Sequence, residues 1–124
     1  MTKILVYSDN RTVRAAVRSA LGGALPGHPD PVELVEAATQ TAALKRLDVG
    51  DIDLAVLDGE ARPAGGIGLA KQAKDEIEDC PPVLLLVARQ ADAWLATWSG
   101  ADTVQTYPVD PIDLPRAAAL LADD

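Results

Sequence analysis

The 124-residue chain contains no phenylalanine, and its only aromatic residues are two tryptophans and two tyrosines. Its core must therefore be built from Ala, Leu, Val and Ile. There is one cysteine, Cys80, so no internal disulfide can form. That usage fits a reducing cytoplasm. An inert, packed thiol is the expectation for Cys80. There is also one histidine, His28, within the loop-like run Pro26-Gly27-His28-Pro29-Asp30-Pro31. No second imidazole exists for a metal pair or a triad. Basic residues are scarce: 11 Lys and Arg stand against 19 Asp and Glu, for a net charge of −8. Nucleic acid is not an expected partner, because phosphate contacts need clustered Lys and Arg. An anionic membrane surface is disfavoured for the same reason. No apolar run is long enough to span a bilayer. The first apolar run, after Lys3, is too short for a signal peptide. A cytoplasmic protein is expected.

What is present reads as one folded unit. Hydrophobic residues make up 48% and charged residues 24% of the chain. That balance is globular rather than disordered, and the length suits a single domain over residues 1–124. Residues 3–8 are almost all apolar, as in a strand covered on both faces. Asn10 can cap a following helix, in which Val13, Ala16, Val17, Ala20 and Leu21 recur at helical spacing. Val32 to Val35 predict a short second strand. Thr39 can cap a second helix, with Ala42, Ala43 and Leu47 inward and Gly50 as its stop. Ile52 to Leu57 predict a third strand, followed by a loop over 58–66. A third helix is expected from Ile67 to about Ile77. Val83 to Val87 form the most apolar strand. A fourth helix is expected over Ala91 to Ser99, and a fifth strand over Thr103 to Thr106. Asp113 opens a last helix with Leu114, Ala117, Ala118 and Leu121 inward. Its Pro115 is tolerable because it lies in the first turn. Five strands alternating with five helices imply an α/β doubly wound parallel sheet.

Two of the strands run straight into an acid: Ser8-Asp9 after the first and Asp58 after the third. In open parallel sheets, ligands and chemistry collect beyond the carboxyl ends of the strands. Two carboxylates delivered there suit a hard cation, and leave one poised as a phosphoryl acceptor.

The order of these features resembles the receiver domain of two-component response regulators, over the whole chain. Three stretches carry the likeness: Ile4-Leu5-Val6-Tyr7-Ser8-Asp9-Asn10, Asp53-Leu54-Ala55-Val56-Leu57-Asp58, and Gly100-Ala101-Asp102 leading to Tyr107-Pro108. The chain looks most like the small stand-alone receivers of actinobacteria. The resemblance implies a flavodoxin-like sheet in the order 2-1-3-4-5. It makes Asp58 the phosphoacceptor for a histidine kinase. It makes Asp9, Asp58 and the backbone carbonyl of Glu60 the Mg²⁺ ligands. The family's first acid of the pair is replaced by Ser8, a weak neutral ligand acting through water, so metal affinity should fall. Mg²⁺ takes oxygen ligands and neutralises charge during phosphoryl transfer.

The departures lie at the switch. The family's Thr or Ser after the fourth strand is Val87. Its Lys before a cis-proline is Tyr107, before Pro108. Its switch aromatic is Val104. A tyrosine hydroxyl donates one hydrogen bond but carries no positive charge at neutral pH. The family's Pro four residues after the acceptor is Arg62, with Pro63 one later. The expectation is a stand-alone atypical receiver without an output domain. It acts through protein–protein interaction, with weak or absent phosphorylation of Asp58. The alternative is a conventional phosphorelay receiver phosphorylated on Asp58 with Mg²⁺. A flavin or nucleotide carrier on the same fold ranks below both, because no Ser/Thr-rich phosphate loop follows the first strand. An enzyme is not expected, since no nucleophile–base pair is visible.

Other features admit plainer readings. Gly65-Gly66-Ile67-Gly68 follows a strand and precedes a helix, but lacks the spacing of a phosphate-binding loop. A flexible loop is the expectation. Trp94 and Trp98 lie one turn apart, with Trp98 expected outward and Trp94 half-buried. In receivers the face made by the fourth helix, fifth strand and fifth helix docks partners, and tryptophan is enriched in hot spots. That face is the expected surface for an effector, a kinase or a homodimer contact. In receivers the first helix can face the kinase or phosphotransfer partner; for Arg11, Arg14 and Arg18 a solvated face is the expectation.

Overall fold

The computed structural model describes residues 1–61 and 65–122. Arg62, Pro63 and the terminal Asp123-Asp124 fall outside them. Five strands are described: β1 (Thr2–Tyr7), β2 (Val32–Ala37), β3 (Leu54–Asp58), β4 (Val83–Val87) and β5 (Thr103–Thr106). They alternate with α1 (Arg11–Leu21), α2 (Gln40–Val49), α3 (Gly66–Glu76), α4 (Trp94–Ser99) and α5 (Asp113–Ala122). All four strand pairings are parallel, and the sheet order is β2-β1-β3-β4-β5, as the resemblance implies.

Alternation along each strand divides the core into two layers. Leu5, Tyr7, Ala55, Leu57, Leu85 and Val87 face one side, against Ala43, Leu47, Leu69, Ala70, Ala73 and Ala96 of α2, α3 and α4. Ile4, Val6, Leu54, Val56, Leu84 and Leu86 face the other, against Val17 and Leu21 of α1 and Leu114 and Ala118 of α5. Because both faces are covered, the central strands are apolar at almost every position. Packed alanines on α3 let that helix lie close to the sheet without phenylalanine to fill a wider gap.

The helix starts are held by the expected caps. The Asn10 side chain accepts from the Thr12 N–H at 2.8 Å, and Thr39 Oγ1 accepts from the Ala42 N–H at 3.1 Å. Each satisfies an N–H that the helix leaves without a partner. Gly50 and Gly100 end α2 and α4 at φ 88° and 83°, a left-handed conformation that glycine takes without steric cost. Asp110 Oδ1 accepts from the N–H groups of Ile112 and Asp113 and opens α5.

Several expectations change in detail. β2 continues to Ala37, because it pairs with β1 up to Tyr7. β3 begins at Leu54, and Ile52 is buried in the approach to it. Ala42 is exposed, and Leu44 packs inward beside Ala43 and Leu47. Of the expected inward residues of α5, Leu114 and Ala118 are buried, while Ala117 and Leu121 are half-buried. The fourth helix is shorter than periodicity predicts. Gln90–Ala93 form a 3-10 turn, and only Trp94–Ser99 are α-helical. Arg89 supports that turn, its guanidinium donating to the Asp92 carboxylate at 3.2 and 3.4 Å.

Candidate functional site at the carboxyl ends of the strands

The parallel register brings the ends of β1, β3, β4 and β5 to one edge. Tyr7 pairs with Leu57, Asp58 with Leu86, and Val87 with Thr106. Asp58 is thus the last residue of a central strand, and Ser8, Asp9, Glu60, Ala88 and Tyr107 lie around it. Asp58 is only 3% exposed and Ser8 is fully buried, whereas Asp9 is exposed.

A buried carboxylate needs hydrogen bonds or a counter-charge. Among the described residues, three neutral groups donate to Asp58. Ser8 donates its hydroxyl to Oδ2 at 2.7 Å. The Tyr107 hydroxyl donates to Oδ1 at 2.6 Å, and the Glu60 N–H donates to the same oxygen at 2.9 Å. Ser8 Oγ in turn accepts from the Asn10 N–H at 3.0 Å, which fixes the hydroxyl rotor toward Asp58. Tyr107 thus stands beside Asp58 at the position that the resemblance gives to a lysine, as a hydrogen-bond donor. Burial pushes its phenol well above the ordinary range, and the bond to Asp58 and the charges of Asp58 and Glu60 add to it. Tyr107 therefore stays a neutral donor. The Tyr7 phenol is also raised, by burial first and then by the charges of Asp9 and Asp58.

Local packing explains how Asp58 is presented. An ideal Cβ on Gly66 would come within 2.7 Å of the Asp58 carbonyl oxygen, and one on Gly59 within 2.6 Å of the Leu86 carbonyl oxygen. The glycines Gly65 and Gly66 are thus explained by close packing: they let the chain approach tightly beneath Gly59 and Asp58. The switch positions are equally concrete. Val87 is fully buried in the apolar layer and has no polar atom to offer. Val104 is half-buried against the same layer. Tyr107-Pro108 is a cis peptide bond, as the resemblance implies.

Sequence reasoning missed one part of the site. Arg14 and Arg18 do not form a merely solvated face. Both pair with Glu36 near the end of β2: Arg14 Nε lies 3.2 Å from its Oε1, and Arg18 Nε 3.0 Å from its Oε2, with a second, closer contact from Arg18 Nη2. Hydrogen bonding from Arg18, then its charge and Arg14, holds the Glu36 carboxyl below its ordinary range. Arg14 Nη1 also donates to the Ser8 carbonyl at 2.6 Å. It is a cation fixed beside the site, on the β1 side rather than the β5 side. The i, i+4 spacing of the two arginines is the signal that was available. Its meaning depends on Glu36 lying opposite, which only the strand register reveals.

The tryptophans also differ from expectation. Trp98 is outward at 55% exposure, as expected, but Trp94 is 65% exposed rather than half-buried. The 3-10 turn before α4 rotates Trp94 away from the sheet. Ile112 and Leu120 are further exposed apolar residues at the α5 end of the molecule. Cys80 is half-buried and burial raises its thiol, in keeping with an inert role. His28 Nε2 lies 3.2 Å from the Ala119 carbonyl and ties its loop to α5.

The oxygens at this edge suit Mg²⁺ in kind: two carboxylates, one backbone carbonyl and a hydroxyl. Among the described residues, Oδ2 of Asp58 accepts one hydrogen bond, from Ser8, which leaves a lone pair for a metal. Among the described residues, no three His, Cys, Asp or Glu side chains gather into a metal-holding group. That is compatible with Mg²⁺, which usually keeps several waters and takes only one or two protein carboxylates.

No family model matches the chain. Named proteins do. An uncharacterized response regulatory protein of Mycobacterium tuberculosis, found in two strains, is 52% identical over 121 residues, covering 96% of this chain and 90% of the relative. The chain belongs to the response-regulator family. Its receiver fold recurs in the chemotaxis protein CheY4 of Vibrio cholerae, with a TM-score of 0.78 at 20% identity over 98% of both chains. It recurs in the response regulator TrrA of Thermotoga maritima, with a TM-score of 0.79 at 24% identity over 98% of this chain and 99% of that one. The TrrA structure is a complex with Mg²⁺ and BeF. Receivers are signal-transduction modules that work with kinases or effectors. Among the described residues, no helix of this one is long and apolar enough to cross a membrane.

Proposed function

We propose that this receiver is an atypical signalling module, with residues 1–124 forming one receiver domain. It works through protein–protein contact in the cytoplasm, and its Asp58 is phosphorylated weakly or not at all. It is not an enzyme in its own right. One observation carries the reading: among the described residues the groups that donate to Asp58 are three and neutral, with the Tyr107 hydroxyl standing where the family has a cation.

The chemistry follows from that arrangement. For phosphoryl acceptance, an Asp58 oxygen must attack phosphorus with its lone pair. Three hydrogen bonds draw density from both oxygens and lower their nucleophilicity. A phosphorylated Asp58 would gain further negative charge beside Asp9 and Glu60. Tyr107 would offer it a dipole and no charge, and the Val87 side chain would offer nothing. Asp9, Asp58 and the Glu60 carbonyl would hold Mg²⁺, with Ser8 contributing through water. When bound, the ion supplies the charge neutralisation that phosphoryl transfer requires. A modification that contacts two conformations equally shifts neither. With Val87 and Val104 packed in the apolar layer, phosphorylation has little to pull on. The exposed Trp94 and Trp98 supply the partner face, for a kinase, an effector or a second copy.

The test is beryllofluoride, a phosphoryl mimic, titrated with Mg²⁺ against the wild-type receiver and a Tyr107→Lys/Val87→Thr variant. The variant should bind at least about tenfold more tightly, since ~1.4 kcal/mol of restored charge pairing gives that factor. Tight, stoichiometric adduct formation on wild-type Asp58 would favour the second reading, a conventional phosphorelay receiver. The retention of Asp9 and Asp58 on adjacent strand ends supports that alternative.

A further inference from the structure

The carboxylate of Glu60 does something the acceptor chemistry does not require. Glu60 stands two residues beyond Asp58, and Ala88 stands two beyond Leu86, the register partner of Asp58. The Gly59 N–H is spent on the Leu86 carbonyl at 2.7 Å, and the Tyr107 N–H on the Val87 carbonyl at 2.9 Å. The Ala88 N–H lies past the end of β4, where the ladder no longer supplies an acceptor. Glu60 Oε2 accepts from it at 3.4 Å. The same side chain lies close enough to Tyr107 for its charge to help raise that phenol. The exposed Glu60 side chain therefore reaches from the β3 side to the β4 side, beside Tyr107 on the β5 side.

We propose that the Glu60 carboxylate is a built-in anion that occupies the Ala88 N–H beside Asp58, in competition with any anionic group carried there. A tetrahedral anion on Asp58 has four donors in reach of this edge: Ser8 Oγ, Tyr107 Oη, the Glu60 N–H and the Ala88 N–H. The first three already serve the Asp58 carboxylate. The fourth serves Glu60. A new anion must displace Glu60 to gain that donor, and it meets the repulsion of the Glu60 charge while doing so. At 3.4 Å the bond is at the long end of the range, so its effect is several-fold rather than orders of magnitude.

This inference rests on Asp58 as the acceptor position, and two measurements separate its fate from that of the proposed function. The first is amide hydrogen exchange at Ala88 by NMR, in wild type and Glu60→Ala, without metal or beryllofluoride. Exchange at Ala88 should accelerate about fivefold, while the Val83 amide, bonded to Asp102, stays unchanged as a folding control. An unchanged Ala88 rate overturns the inference. The second is the beryllofluoride titration with Mg²⁺, in wild type and in Tyr107→Lys/Val87→Thr, each with and without Glu60→Ala. Removing Glu60 should tighten binding about fivefold in at least one background. No gain in either overturns the competition, even if the Ala88 rate changes. Tight binding by the unaltered wild type instead defeats the proposed function, and the Ala88 rate still judges Glu60.

Discussion

Replacing Tyr107 with phenylalanine removes one oxygen and leaves the ring. The lost group is the donor at 2.6 Å to Asp58 Oδ1. Asp58 is 3% exposed, so water does not easily replace it. Hydrogen bonds to charged groups contribute about 1.5–3 kcal/mol. Oδ1 keeps the Glu60 N–H, and Tyr107 itself is only half-buried, so the lower end applies: a loss of about 1.5 kcal/mol. For a domain of this size, that is a fall in Tm of roughly 5–8 °C. Urea unfolding at neutral pH should show the same loss at an unchanged m-value. The pH dependence supplies a second readout. The folded phenol is raised above its unfolded value, so the folded state keeps a proton that the unfolded chain gives up near pH ~10. The resulting stability is fully present below that pH and is lost as pH rises further, by at most about 1.4 kcal/mol per pH unit. Tyr7 is present in both proteins, so the difference between wild type and Tyr107→Phe isolates Tyr107. The gap between them should narrow above about pH 10. A Tyr107→Phe protein within about 0.5 kcal/mol of wild type at neutral pH, or full phenolate absorbance in the folded wild type near pH ~10, refutes the reasoning.

Other outcomes follow from the same geometry. Gly66→Ala places a Cβ 2.7 Å from the Asp58 carbonyl oxygen, so α3 must shift, and chemical denaturation should show a loss of about 1–3 kcal/mol. Glu36→Ala frees Arg14 and Arg18, which should raise the mobility of the Ser8–Asn10 turn, visible as faster amide exchange at Asn10 with a stability loss below about 1 kcal/mol. Trp98→Ala should leave Tm nearly unchanged, because its side chain is exposed. It should weaken self-association or effector binding by about tenfold in a sedimentation or titration assay, and unchanged association would remove this face from the reading.

The fold was legible because its causes are local. Uninterrupted apolar runs such as Val83–Val87 can be satisfied only by a strand covered on both faces, and Asn10, Thr39, Gly50 and Gly100 mark helix ends by their own chemistry. The fourth helix escaped periodicity. Gln90–Ala93 take a 3-10 turn instead, and Trp94, the first residue of α4, is exposed.

For the site, the sequence by itself determined which chemical groups exist: Asp58 with Asp9 at strand ends, a serine, a valine and a tyrosine at the remaining positions, and no phenylalanine or lysine there. It also fixed the class of fold, since hydrophobic period and caps act within a few residues. Only the tertiary structure decided how those groups are used. Ser8 and Asp58 are 50 residues apart, Tyr107 and Asp58 are 49 apart, and Glu60 and Ala88 are 28 apart. Each contact needs the parallel register that sets β1, β3, β4 and β5 at one edge. A hydrogen bond is decided within tenths of an ångström, and no pattern along the chain carries distances of that kind between its distant parts.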